Sequence, residues 1–286
     1  MVRLNVTMVA FHGTEKPDSL QSLFRNVLDE IARHLGPHRS EAFEPYGPRQ
    51  VHATMIAMEV DVKDGQLFNR WAKKNRGGQE RVVDTRRLKE IVRGFVQGDR
   101  LFTVRFGGFR EAYCNCKADP QDRSGWACPS GSAHFHSCDR STYEGSFYAF
   151  SPGPVVVTGW PVGGPEDLET FPHTLYSLRA AVEEAGFCDK YHSDGKAHWK
   201  DDDCYIRLGT FAPRISGHEL RSIERGVRNY LSTRDPITVD VDVADVSILL
   251  YDAPSLAEED VKARVPLALF LEDESHVDRL YDQIDR

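Results

Sequence analysis

The sequence predicts an α+β fold in which two copies of a β-α-β-α-β unit face each other across a central cleft. Three observations carry this expectation. Stretches with strand-like and helix-like apolar periodicity alternate along the chain, and the order strand, helix, strand, helix, strand occurs twice. A stretch rich in Cys, Gly and Ser separates the two runs. The repeat is one of element order, not of letters.

The first run opens with RLNVTMVAF, residues 3–11, a strand by alternation. Leu20, Leu23, Phe24, Val27, Leu28, Ile31 and Leu35 then fall on one helical stripe, which Gly36-Pro37 stops. VHATMIAMEV, residues 51–60, is the next strand, and the charged residues 61–85 read as an insertion or long loop. Leu88, Ile91, Val92 and Phe95 mark a second helix before the strand LFTVRFGGF, residues 101–109. Its glycine pair suggests a bulge or a close backbone approach.

The second run begins at PVVVTGW, residues 154–160. A helix striped by Leu175, Leu178, Val182 and Ala185 follows and ends at Gly186. CYIRLGTF, residues 204–211, is a strand. Ser216 and Glu219 have capping-box spacing ahead of a helix striped by Leu220, Ile223, Val227 and Leu231. ITVDVDV, residues 237–243, alternates strictly and leads into VSILLY. Residues 1–255 are therefore expected to form one two-lobed domain. Lobe one covers about 1–109, a Cys/His-rich insertion about 110–150, and lobe two about 151–255. Residues 256–286 read as an acidic C-terminal extension ending in the helical stretch SHVDRLYDQIDR.

The net charge of −8, from 36 basic and 44 acidic residues, disfavours a broad grip on duplex DNA, where neutralised phosphates supply most of the binding. It leaves room for a pocket that takes one phosphate. No run approaches the roughly 18 apolar residues that span a bilayer, so no membrane partner is expected. The N-terminal stretch lacks a small-residue cleavage site and reads as a strand. The expected address is the cytoplasm, with the six cysteines reduced.

His52 and Thr54 stand two apart on a strand, so both side chains share a face. An imidazole beside a hydroxyl suits a phosphoester: the imidazole moves protons near neutral pH and the hydroxyl donates to a phosphate oxygen. Such a pair is also what a half-buried histidine satisfied by a neighbour looks like. The corresponding strand of the second run carries Tyr205 and Arg207 with the same spacing. A guanidinium binds phosphate through its bidentate fork, and a tyrosine donates a hydrogen bond or stacks on a base. Arg207 as an ordinary exposed strand residue is the plain alternative.

These motifs, in this order, resemble the two-histidine phosphoesterase superfamily, and within it the LigT-like RNA 2′,3′-cyclic phosphodiesterases. RLNVTMVAF resembles the opening strand, VHATM the first H-x-T motif, and FTVRFGGF the following strand with its glycine turn. PVVVTGWPV with the helix ending EEAGF is similar to the start of the second lobe, YIRLGTF to the second H-x-T-L-G segment, and VDVADVSILLYDAPSL to the closing strand. The resemblance covers most of residues 1–255 and implies a bilobal fold acting on a small nucleotide or an RNA cyclic-phosphate end. It implies acid/base work for His52, phosphate binding by Thr54, and no cofactor in catalysis. At the second motif Tyr205 and Arg207 replace the family's His and Thr, which leaves open a catalytically impaired phosphate-binding descendant. His192 and His198 lie just before that motif, in a stretch that DGK and KDDD mark as a solvated loop.

A second constellation comprises Cys114, Cys116, Cys128, His134, His136 and Cys138. Soft thiolates with imidazoles suit one structural Zn²⁺, which would order a segment poor in apolar residues. A reduced loop carrying incidental cysteines is the other reading, because the spacing matches no common zinc finger. A zinc-ordered surface for a protein partner is the third functional alternative.

Overall fold

Short strands rich in β-branched and aromatic residues, and helices with a single apolar stripe, make up the chain. The computed structural model describes residues 3–13, 16–36, 41–75, 78–109, 142–188, 202–213 and 215–284. In chain order the elements are β1 (Asn5–Ala10), α1 (Asp18–Leu35), β2 (Phe43–Pro45), β3 (His52–Ala57), β4 (Val60–Lys63), β5 (Gln66–Asn69), α2 (Arg70–Asn75), α3 (Thr85–Phe95) and β6 (Arg100–Phe106). Then follow α4 (Thr142–Gly145), β7 (Phe147–Ala149), β8 (Gly153–Val162), α5 (Thr174–Ala181), β9 (Cys204–Phe211), α6 (Gly217–Ser232), β10 (Ile237–Asp242), β11 (Val246–Tyr251), β12 (Val261–Pro266), α7 (Leu267–Glu272) and α8 (Ser275–Tyr281). No helix among the described residues is long and apolar enough to cross a membrane.

Ten strands form one large sheet in the order β10-β6-β8-β9-β3-β1-β11-β12, with β2 added to β9 and β7 to β8. The pairings are antiparallel. The fold is thus α+β. The two runs exchange strands: β6 from the first lies between β10 and β8, and β11 from the second lies against β1.

Side-chain alternation divides the sheet into two unlike faces. Val6, Met8 and Ala10 of β1, Ala53 of β3, Ile206 and Leu208 of β9, and Ile248 and Leu250 of β11 join the main core. There they meet the apolar stripes of α1, α3, α5 and α6. Val9, Leu249 and Tyr251 point the other way and, with Leu256, form a small separate cluster. His52, Thr54, Tyr205 and Arg207 alternate with Ala53 and Ile206, so they too belong to this second face.

The helix ends follow local chemistry. Ser216 and Glu219 close a reciprocal capping box on α6, satisfying two backbone donors at once. Asp84 caps α3 by accepting from the Arg87 amide. Gly186 ends the short 3₁₀ turn after α5 at φ +84, where any Cβ would run into the Val82 carbonyl oxygen. Gly107 and Gly108 leave β6 at φ +72 and +71, and the Gly108 amide donates to the Leu231 carbonyl at 3.0 Å.

Three sequence readings change. Residues 61–85 are not a bare loop: they hold the β4–β5 hairpin and α2, which exposed, charged strand positions disguised. Residues 256–286 are no appendage, since β12 pairs with β11 and Phe270, Val277, Leu280 and Tyr281 enter the main core. Asp202 and Asp203 of the KDDD run are buried, at 0% and 1% exposure. Asp202 accepts from the Tyr176 amide at 2.8 Å and from His173 Nδ1; Asp203 accepts from Trp160 Nε1 at 2.8 Å. The run's two buried carboxylates therefore fasten α5 and Trp160 to the start of β9.

Candidate functional site

The β3–β9 register sets the site. His52 pairs directly with Arg207 and Ala53 with Ile206, so the imidazole and the guanidinium rise side by side from the second face. Beyond that point the two strands separate. Arg179 fills the fork, donating from Nε to the Met55 carbonyl (3.1 Å) and from one terminal nitrogen to the Thr54 and Asp203 carbonyls (3.2 and 3.1 Å). Strand ends that would otherwise leave buried acceptors unpaired are joined by one side chain.

Three of the four expected strand residues line one pocket: His52, Thr54 and Arg207, together with Thr7, Ala57, Glu59, Tyr251, Pro254 and Leu256. Tyr205 does not line it. Its ring packs edge-on against Tyr148 with centroids 6.3 Å apart, and the Arg179 guanidinium lies 6.0 Å from its centre. The fork between β3 and β9 separates it from Thr54.

The roof of the pocket is the loop between β11 and β12. Its successive carbonyls are held by donors of the site: Pro254 by Arg207 at 3.3 Å, Ser255 by Gln50 Nε2 at 3.0 Å, and Leu256 by His12 Nε2 at 3.1 Å. Beneath this loop the cavity is about 20 Å³, room for a single water.

His52 Nδ1 lies 2.7 Å from the Gln50 carbonyl and must donate to it, which leaves Nε2 as the basic nitrogen of the neutral ring. Burial pushes the His52 pKa down to about 3, outweighing that hydrogen bond, and Arg207, His12 and Lys16 add charge repulsion. His12, which sequence reasoning did not single out, stands T-shaped to His52 with ring centroids 6.2 Å apart. Its Nδ1 is buried and has no hydrogen-bond partner among the described residues. Burial lowers its pKa, against the Leu256 hydrogen bond, with Arg264 and Lys16 lowering it further. Lys16, 8% exposed, donates to the Gly13 and Pro48 carbonyls at 2.6 Å each; burial, then Arg264, pulls its pKa to about 8. Lys16, Arg207 and Arg264 thus bring positive charge to two imidazoles whose neutral forms burial favours, while the buried Glu59 carboxylate lines the same pocket. The only sequence signal for His12 was its place just past a strand end, next to a glycine.

Cys114, Cys116, Cys128, His134, His136 and Cys138 lie outside the described residues, as do His192 and His198. Among the described residues no cluster of three or more His, Cys, Asp or Glu side chains is placed to hold a metal ion. Cys188 and Cys204 are buried, and burial pushes the Cys204 thiol up to about 12. No family model matches the chain, and no curated protein or solved structure matches it either.

Proposed function

We propose that the pocket holds a phosphoester, and that the chain is a phosphoesterase of the two-histidine type, or a descendant of one, acting on a small nucleotide or the cyclic-phosphate end of an RNA. The observation that carries this reading is the direct pairing of His52 with Arg207, with Thr54 lining the same pocket and a second imidazole, His12, beside it. The strand order supports it. Outward from the β9–β3 junction come β8 and β1, then the exchanged strands β6 and β11, a mirrored pattern of the kind a duplicated unit produces.

In this reading Arg207 binds the two non-bridging phosphate oxygens through its fork and Thr54 Oγ donates to one of them. Water attacks phosphorus, its proton passes to His52 Nε2, and the P–O bond to the ribose oxygen breaks. That oxygen takes a proton from the His12 imidazolium, so one ring gains the proton the other gives up. The bound phosphate raises the basicity of both rings by charge attraction, opposing their burial. The roof loop has to lift first, because its carbonyls occupy the Arg207 and His12 donors.

A second reading is a binding module without turnover, favoured by the nearly complete burial of His52, 1% exposed. Incubation with 2′,3′-cyclic nucleotides and with short RNAs bearing cyclic ends, reading product regiochemistry, decides between them. The phosphoesterase reading expects turnover that His52→Ala abolishes. A wild-type protein that binds inorganic phosphate yet turns over none of these substrates establishes the binding module.

A further inference from the structure

We infer that the outer edge of β10 takes up an extended, lysine- or arginine-rich segment of a partner protein as an added strand. β10 ends the sheet, and β6 is its one strand partner among the described residues. The direction of its backbone groups follows from the neighbouring register. Val104 of β6 stands opposite Val239 on one side and Pro161 of β8 on the other. Proline has no N–H to give, so Val104 turns its amide and carbonyl toward Val239. Backbone groups alternate along a strand, and Thr238 and Asp240 therefore aim theirs out of the sheet. The Asp242 amide points outward too, since it donates to the Asp245 carboxylate at 2.9 Å.

A cleft of about 600 Å³ runs beside this edge, lined by β10 and by Pro17 and Gln21 at the start of α1. A strand edge facing a helix across a groove is the arrangement in which an extended peptide joins a sheet. From Thr238 to Asp242 the edge spans about 14 Å, four steps at roughly 3.4 Å each. Charge selects the partner. Asp240, Asp242 and Asp245 all line the cleft, and the Lys16 ammonium beside them is held by the Gly13 and Pro48 carbonyls. Burial, and then the charges of Asp242 and Asp240, raise the Asp245 pKa against the Asp242 amide bond, so the three carboxylates act on one another. Val239 and Val241 enter the main core, which puts Thr238, Asp240 and Asp242 on the opposite face. An added strand sets every second side chain on that face, where lysine or arginine meets the aspartates. Its other side chains turn toward Pro17 and Gln21. A second β10 would set aspartate against aspartate, and a nucleic acid would bring phosphate, so like charge disfavours both. At the far end of the sheet β12 carries Lys262, Arg264 and Pro266, residues that guard an edge against pairing. β10 has neither lysine nor proline.

The test titrates the full chain with a capped, fluorescein-labelled heptapeptide of alternating lysine and valine, reading anisotropy and amide exchange. The expected result is slower exchange at the Thr238 and Asp240 amides, with a glutamate-for-lysine peptide binding roughly 10-fold or more weaker. Asp240→Asn should weaken binding by roughly 2- to 5-fold, the worth of one exposed ion pair. Of two peptides N-methylated at alternate amides, the one whose blocked amides face β10 should fail to bind. If both methylated peptides bind as well as the parent, the contact is charge alone and strand addition is overturned. Unchanged exchange at Thr238 and Asp240 overturns it equally. These readings use the wild-type chain and stand should Asp240→Asn fail to fold. If the chain alone sediments as an oligomer that the peptide dissociates, the edge belongs to a second copy and the proposal falls.

Discussion

At the mouth of the pocket the Arg207 guanidinium donates to the Pro254 carbonyl and lies close enough to the Tyr46 phenol to lower its pKa against burial. Burial outweighs this and raises the Tyr46 pKa, so the phenol stays a neutral neighbour. A side chain flanked on two sides has lost much of its rotamer freedom in advance, and a planar fork so placed suits two phosphate oxygens. Arg207→Ala should therefore weaken inorganic phosphate binding by about 1.5–3 kcal/mol, the worth of a charge-assisted hydrogen bond. Arg207→Lys should recover only part of this, because a point charge restores attraction without the fork. Calorimetric titration checks it, and equal affinity for wild type and Arg207→Ala refutes the role. At this scale period-two spacing put His52, Thr54 and Arg207 on one face, and the three line one pocket. It placed Tyr205 wrongly because spacing reports the face of a strand, not where two strands part. His12 escaped because it lies just beyond a strand end, and Glu59 because the β1–β3 register skips Met55, so that counting by twos from His52 assigns it to the other face.

The β11–β12 loop covers the pocket, and the proposed reading requires it to lift. Its apolar anchor is Leu256, which packs with Val9, Leu249 and Tyr251 in a cluster separate from the main core. Leu256 also sits at φ +53, a left-handed conformation that costs a non-glycine residue of the order of 1–2 kcal/mol. Elements that open locally are those with few buried contacts of their own. Leu256→Ala should cost about 2–5 kcal/mol, spent mainly on lifting this loop. Amide exchange at Leu256 and Val261, whose N–H groups bond to Ala253 and Ala257, should speed up while β10 and α6 stay protected. A uniform rise in exchange throughout the sheet, with the global unfolding midpoint falling by the whole cost, would show that the loop is no separate unit. Most strands and helices were legible from periodicity and caps, as the Ser216–Glu219 box shows. The β4–β5 hairpin was missed although Val60 and Val62 alternate with Asp61 and Lys63 ahead of an Asp64-Gly65 turn, because strands of four residues are easily taken for part of the charged stretch around them. Burial of Asp202 and Asp203 was illegible too, since their donors come from residues 26 to 43 positions away.

Across the whole molecule, a net charge of −8 surrounds a pocket where His12, His52, Lys16 and Arg207 crowd together. That contrast repels long polyanions at a distance while leaving a local well for a small anion. It also makes the fold acid-sensitive, and the sign follows from the histidines. In the unfolded chain His52 takes a proton near pH 6.5, whereas in the folded state its pKa lies at about 3. Between these values the unfolded state binds more protons, so stability is full above the upper one and is lost as pH falls through the window. About 3.5 units at 1.36 kcal/mol each set an upper bound near 5 kcal/mol, a large part of a typical 5–15 kcal/mol total. His12, lowered in the same direction by burial, adds to it. Carboxylates contribute to acid unfolding as well, so the informative quantity is a difference. Urea unfolding of wild type and His52→Asn, measured at steps from about pH 7 to about pH 4, should show the wild type losing ground to the variant as pH drops, because Asn has no proton to gain. Saturating inorganic phosphate should narrow that loss, since an anion beside His52 stabilises the imidazolium in the folded state and binds only the folded chain. A wild-type-minus-variant difference that stays constant with pH would mean that His52 titrates alike in both states, and the buried, cation-crowded pocket would be refuted with it.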